Sequence, residues 1–204
     1  MMEYELDSLT DDCYEGTTCL INKLGIRDEK KLRLMEAMIS AAKCGELETN
    51  PIDGKFDFSH FKNIHRFIFE DLYDWAGEVR KVAISKKGTR FVQPDQIESI
   101  AHSIFGLLAE KNYFKNDSFD EFVDDIVDLY IQTNMLHPFR EGNGRAQRAF
   151  LTHLIRNCGY DIQFSKTDSD ELMIATVFSA QGIDSYLKDY FRKNLVSKHD
   201  NKDA

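Results

Sequence analysis

The feature that most constrains this chain is a proline set between two helical apolar patterns. In "DSFDEFVDDIVDLYIQTNMLHPF", residues Phe119, Phe122, Val123, Ile126, Val127 and Tyr130 recur at helical spacing. Ser118 and Glu121 form a capping box at its start. Pro138 disfavours helical geometry at His137, so this helix should finish just before it. The pattern resumes from about Gly144 to Asn157, with Phe150, Leu151, Leu154 and Ile155 on the buried face. The sequence between is "HPFREGNGRAQR", residues 137 to 148.

The same periodicity recurs elsewhere, and the chain holds only 3 prolines. A helix is predicted from Asp28, with Leu32, Met35, Ile39 and Ala42 inward and Gly45 as its end. Another follows Ser59, a candidate N-cap, with Phe61, Ile64, Phe67, Ile68 and Leu72 as its stripe and Gly77 as its close. Alternation from Val79 through Lys86 around "KKGTR" predicts a hairpin, with Gly88 at the turn. Further helices are predicted from Pro94 to about Asn112, from Ser169 to Phe178 and from Ile183 to Leu195. The expected fold is all-α, a bundle of about eight helices with one short β-hairpin.

At 42% hydrophobic and 30% charged residues, the composition suits a soluble domain with a real core. A single domain over residues 1–204 is expected, with its core at about 14–191 and a disordered tail over 197–204. No apolar run is long enough to span a membrane, and the acidic N-terminus does not read as a secretory signal. The 4 cysteines form no CxxC pair, so reduced thiols are expected rather than disulfides or zinc. A formal charge of -9 argues against nucleic acid as a partner, though a small local anion site can override it.

Residues 137–148 read as such a site. A helix N-terminus offers unpaired N–H groups and partial positive charge, and glycines let a ligand approach the backbone. Arg145 and Arg148 lie three apart and can both reach a polyphosphate. Glu141 conflicts with an anion site unless a divalent cation, Mg²⁺, bridges it to the phosphates. His137 is the nearby group able to take a proton near neutral pH. A bland capped turn does not require this combination of residues. A zinc hydrolase is disfavoured, because Pro138 breaks the helix that paired ligands need and no HExxH occurs. The other histidines, His65 among them, read as ordinary core or surface residues. The acidic series Asp120 to Asp128 reads as a solvated helix face.

"HPFREGNGRAQR" resembles the active-site motif of Fic-domain proteins, HPFx[D/E]GNGRxxR, at every defined position. "IHRFIFEDLYDWAGEVRKV" and "YEGTTCLINKLGI" are similar to other segments of that family, so the resemblance covers about Tyr14 to Phe191. It implies transfer of AMP from Mg-ATP to a Ser, Thr or Tyr hydroxyl of a target protein. His137 would be the general base and Glu141 the Mg²⁺ ligand. Gly142, Asn143, Gly144, Arg145 and Arg148 would hold the phosphates, and Phe139 would anchor the loop. Residues Lys86, Lys87, Gly88, Thr89, Arg90 and Phe91 would form a flap that docks the target by strand addition. Ser179 and Gly182 are candidate adenosine contacts. A bacterial cytoplasmic location follows by default, with translocation into another cell left open.

Many Fic proteins carry an inhibitory helix, [S/T]xxxE[G/N]. Here only "TDSDEL", Thr167 to Leu172, approaches it, with Leu in place of Gly or Asn, and it lies just after the active-site helix. Coincidence is the better reading, and a separate small antitoxin carrying the motif is expected instead. Other Fic donors are UMP, phosphate and phosphocholine; EGNGR rather than DANKR favours AMP. A nucleotide-binding module without turnover is the alternative from another class.

Overall fold

Asp28 accepts a hydrogen bond from the Lys31 backbone N–H and starts helix α1 (Glu29–Thr49) in the computed structural model, which describes residues 5–6, 11–86 and 88–198. Gly45 does not stop α1, because nothing there terminates the backbone ladder. The expected apolar stripe is displaced as well. Met35 and Ile39 are half-buried and Ala42 is exposed, whereas Glu36 and Ser40 are buried with Leu32 and Leu47. The inward face of α1 is partly polar because it meets an arginine of the helix behind it.

Helix α2 (Phe58–Phe69) is capped by Asp57 rather than Ser59; its carboxylate accepts from the His60 N–H. Phe61, Ile64, Ile68 and Phe69 are buried almost completely. The helix stops at Phe69, and turns carry the chain to Gly77, which has φ +81°.

The expected hairpin is real but short. Strands β2 (Ile84–Lys86) and β3 (Thr89–Arg90) pair antiparallel, and β1 (Glu5–Leu6) adds to the other edge of β2, giving the order β1-β2-β3. Residues 79–83 do not join, because the Arg80 N–H is taken by the Pro138 carbonyl at 2.9 Å. Lys87 lies outside the described residues.

A 3-10 turn at Pro94–Gln96 leads into α3 (Ile97–Glu110), and another spans Asn112–Phe114. Helix α4 (Phe119–Leu136) opens with the Ser118–Glu121 capping box and ends one residue before His137. Helix α5 (Asn143–Asn157) follows after a six-residue loop, residues 137–142. Then come β4 (Tyr160–Asp161), α6 (Ser169–Ser179), α7 (Ser185–Asn194) and β5 (Val196–Ser197), which returns to pair with β4. Ser197 is therefore part of the fold, while residues 199–204 of the expected tail lie outside the described residues.

Among the described residues there are seven α-helices where about eight were expected, and two small sheets where one hairpin was expected. Helices α4 and α5 form the centre. Val123, Ile126, Val127, Phe150, Leu151, Leu154 and Ile155 are all essentially buried, so this pair supplies a rigid frame for the loop between them. The 4 cysteines are free thiols. No described helix is long and apolar enough to cross a membrane.

Candidate active site

His137 ends α4 in a left-handed conformation, φ 43° and ψ 58°. For a non-glycine residue this costs about 1 kcal/mol or more, and surrounding contacts must hold it. Three do so here. The His137 N–H donates to the Thr133 carbonyl, the Arg80 Nε donates to the His137 carbonyl at 2.8 Å, and Phe91 stacks on the imidazole with centroids 3.7 Å apart. His137 Nδ1 lies 2.9 Å from the Asn134 carbonyl, which cannot donate, so Nδ1 carries the proton. Nε2 is then the proton-accepting nitrogen. Burial pushes the pKa of His137 down to about 3, and the Asn134 hydrogen bond opposes that only in part. The ring is held neutral, the state a base requires.

The loop is fixed by a closed ring of hydrogen bonds. Asn143 Oδ1 accepts from the Phe139 N–H at 2.8 Å, and its Nδ2 donates to the Phe139 carbonyl at 2.7 Å. The Phe139 side chain is fully buried and stacks on His65, with centroids 3.8 Å apart. His65 in turn donates from Nε2 to the Glu141 carbonyl at 2.9 Å, while its Nδ1 accepts from the Gly77 N–H at 2.9 Å. Both ring nitrogens are used by a neutral imidazole, and burial takes the His65 pKa down to about 3.

Gly142 is the N-cap of α5, with φ +80°, and a Cβ there would fall 2.2 Å from the Phe69 ring. Only glycine fits. The Asn143 and Gly144 N–H groups have no acceptor among the described residues and open the helix as an anion cradle.

The two motif arginines behave differently. Arg145 reaches back to α1, where it bonds Ser40 Oγ at 2.8 Å and pairs with Glu36 at 2.5 Å, with Glu141 Oε1 at 3.3 Å. It also lies over the Phe69 ring. Glu36 is buried and also accepts from the Tyr73 hydroxyl. Burial and the neighbouring Glu36 both raise the pKa of Glu141. The Arg148 side chain makes no hydrogen bond or ion pair among the described residues. Its charge has no local carboxylate to balance it, so it is available to an incoming anion.

His137, Gly144 and Arg148 share one cavity of 530 Å³. The flap residues Lys86, Gly88, Thr89 and Phe91 roof it. It is also lined by Leu172, Met173, Thr176, Val177 and Ala180 of α6. The lining combines cationic side chains, Lys86 and Arg148, with apolar ones from α6.

A profile of the Fic/DOC family matches residues 55–155. The protein adenylyltransferase VbhT of Bartonella schoenbuchensis is 36% identical over 180 residues, spanning 88% of this chain but 38% of VbhT. The probable protein adenylyltransferase y4lH of Sinorhizobium fredii is 34% identical over 171 residues, covering 83% of this chain and 88% of that protein. This chain belongs to the Fic/DOC family. Its Fic fold is also that of a solved VirB-translocated effector, BepC of Bartonella tribocorum with bound AMPPNP, at TM-score 0.84 and 28% identity over 92% of this chain and 97% of that one. The N-terminal Fic domain of a Bartonella quintana effector with bound ADP matches at TM-score 0.86 and 27% identity, over 93% and 96% of the two chains.

His137, Gly144 and Arg148 of this Fic chain's motif line one cavity, and other expected site residues make contacts elsewhere. Arg145 bonds Glu36 of α1, and the Asn143 side chain bonds the loop backbone. Arg90 is exposed and does not line the cavity, because it alternates with Thr89 across the strand. Ser179 and Gly182 do not line it either. The Ser179 hydroxyl donates to the Thr176 carbonyl and Gly182 closes the helix end, so Ala180 and Gln181 line the cavity instead. Glu171 of the "TDSDEL" stretch pairs with Lys193 at 2.8 Å, well engaged away from Arg148. Arg80, His65 and Glu36 escaped sequence reasoning. Arg80 sits in a strand-like alternation, and Glu36 stands beside the apolar stripe of α1; neither position announces itself without the fold.

Proposed function

We propose that this chain is a protein adenylyltransferase, an enzyme that moves AMP from ATP to a hydroxyl side chain of a target protein. The observation that carries the reading is the His137 tautomer. With Nδ1 on the Asn134 carbonyl, Nε2 is left as the accepting nitrogen, and His137 lines the same cavity as Gly144 and Arg148. The base and the phosphate grip therefore face one reacting centre.

Glu141 fits a Mg²⁺ ion. Its Oε1 is used by the Gly142 N–H, but Oε2 has no hydrogen bond among the described residues. No cluster of three acidic or histidine ligands exists among them. One carboxylate, with phosphate oxygens and water completing the shell, is an ordinary donor set for Mg²⁺. When bound, the ion neutralises phosphate charge and favours departure of pyrophosphate.

The protein's own groups do the rest. The Asn143 and Gly144 N–H groups hold phosphate oxygens, and Arg148 pairs with the polyphosphate and sets the α-phosphorus in line. The apolar face of α6 takes the adenine ring. The target hydroxyl gives its proton to His137 Nε2 as its oxygen bonds the α-phosphorus. The target backbone docks along the flap by strand addition, so recognition is largely by main chain.

A small inhibitory protein restrains the enzyme. A separate groove of 320 Å³ lies between α1 and α5, lined by Ser40, Cys44, Arg145, Arg148 and Phe164. Beside it α1 exposes Leu34 and Met38, each 61% accessible, at helical spacing. A helix laid there would cover the apolar pair and offer a carboxylate to Arg148.

Labelled ATP tests the reaction. Target proteins in a lysate should retain label from the α-phosphate and none from the γ-phosphate. Retained γ label would make the enzyme a phosphotransferase and overturn the reading.

A further inference from the structure

One buried polar atom in the cavity has no partner within the protein. Gln147 is 4% exposed, stands immediately before Arg148 on α5 and lines the cavity that holds His137. Its Nε2 lies 2.8 Å from the Tyr130 carbonyl and 2.8 Å from Thr133 Oγ1. A carbonyl can only accept, so the atom facing it is the amide nitrogen, and the orientation of the side chain is fixed. Thr133 spends its own proton on the Leu129 carbonyl, 2.7 Å away, so its oxygen is an acceptor as well. Both Nε2 protons are therefore committed to α4. What Gln147 has left to offer the cavity is Oε1, an acceptor to which no donor among the described residues bonds.

A buried acceptor without a donor is costly, and a ligand that supplies the donor recovers that cost. The chemistry of ATP narrows the choice. Its phosphate oxygens are acceptors at neutral pH and do not suit Oε1. Its donors are the two ribose hydroxyls and the adenine amino group. Position separates them. Arg148 Nη1 lies 3.1 Å from where a Cβ on Gly144 would stand, so the guanidinium folds over the first turn of α5, beside the phosphate cradle. Gln147 follows Gly144 by three residues on the same helix face, about 4.5 Å along the axis. Tyr130, whose carbonyl Gln147 holds, bonds through its hydroxyl to Thr176 Oγ1 of α6 at 2.7 Å. Gln147 thus belongs to the stretch that connects the phosphate cradle to α6, as the ribose connects the triphosphate to the adenine.

We propose that Gln147 is a binding residue for the sugar of the nucleotide, its Oε1 accepting a hydrogen bond from one ribose hydroxyl. The inference rests on the adenylyl-transfer reading above and deepens it. Arg148 and the apolar side chains of α6 are indifferent to the sugar, so this one neutral acceptor selects a ribonucleotide.

The test is direct titration of the full chain with the Mg²⁺ complexes of ATP, 2′-deoxy-ATP and 3′-deoxy-ATP. It is run on the unmodified protein and on Gln147→Met, with circular dichroism on both. On the unmodified chain one of the two deoxynucleotides should bind about tenfold more weakly than ATP, the scale of one buried acceptor left unpaired. On Gln147→Met that same deoxynucleotide should bind as ATP does, because the acceptor is gone. If the methionine variant does not fold, Gln147→Asn withdraws the oxygen by one methylene and should shrink the discrimination in the same way. Equal binding of all three nucleotides by the unmodified chain, or discrimination that survives the substitution, would overturn the ribose contact. Transfer of α label from ATP to lysate proteins by the same unmodified preparation keeps the two readings apart. Transfer without sugar discrimination overturns the ribose contact alone. Sugar discrimination without transfer overturns the adenylyl-transfer reading alone, and a chain that binds no ATP overturns both.

Discussion

The Arg80 guanidinium, almost wholly buried, donates from Nε to the His137 carbonyl at 2.8 Å and from Nη1 to the Val82 carbonyl at 2.7 Å. A further bond reaches the Val92 carbonyl beyond the flap. One side chain thus ties His137 to both ends of the hairpin beside it. A lysine has no planar fork and cannot serve three carbonyls in fixed directions.

Arg80→Lys should therefore fold but lose catalytic geometry. We expect kcat to fall about tenfold or more and stability to drop by about 1–3 kcal/mol, the usual cost of leaving buried acceptors unsatisfied. Initial rates and urea melts on the same preparation check both. Unchanged kcat would show that the hairpin is positioned by other contacts.

Gly142→Ala should be far worse than a surface glycine change. The added Cβ meets Phe69 at 2.2 Å, and the residue must also keep φ +80°. Together these should cost about 2–4 kcal/mol or distort the loop. ATP titration and a thermal melt would show weakened binding with lowered Tm. Gly88→Ala, with open space around it but φ +79°, should cost less and spare nucleotide binding.

Acid should destabilise the fold through His65 and His137. Both have pKa values near 3 in the folded protein because burial disfavours the charged ring. Unfolded histidine titrates at about 6.5. Below that value the unfolded chain binds protons that the folded chain refuses, so stability is full above 6.5 and is lost as pH falls toward 3. The linkage amounts to about 1.4 kcal/mol per pH unit for each ring. Between pH 7.5 and pH 5 that is roughly 2 kcal/mol per ring. Urea unfolding at the two pH values measures it, and His65→Gln should remove its share of the slope while lowering stability at both.

Breaking the α1–α5 connection should uncouple Arg145. Glu36→Gln removes the carboxylate that pairs with Arg145 and touches Tyr73. Loss of one partner of a buried pair costs about 3–5 kcal/mol in well-sequestered cases. Glu36 is also one cause of the raised Glu141 pKa, so this variant should let the Glu141 carboxyl ionise at lower pH. A pH–rate profile with an unshifted acid limb would contradict that link.

Much of the site was legible because its grammar is local. Pro138 ends α4, glycine opens α5, and the capping box starts α4 where Ser118 and Glu121 place it. The rest depends on contacts made far along the chain. Glu36 and Ser40 are buried because they face Arg145, more than 100 positions away, and no periodicity of α1 reveals a partner on α5. Arg80 reads as an alternating strand residue until Pro138 takes its N–H. The α6 wall of the cavity was missed because Met173 and Val177 are exposed apolar residues on a weakly patterned helix, indistinguishable by sequence from an ordinary surface.

The central claim is that His137 accepts the acceptor proton while the rest of the cavity binds ATP. Its most direct measurement is the rate of α-label transfer by His137→Ala at saturating Mg-ATP, with nucleotide affinity measured on the same variant. The account predicts nearly unchanged ATP affinity and transfer reduced by about 10²–10⁴-fold, the contribution of a positioned general base. Transfer within a few-fold of the unmodified chain would contradict it.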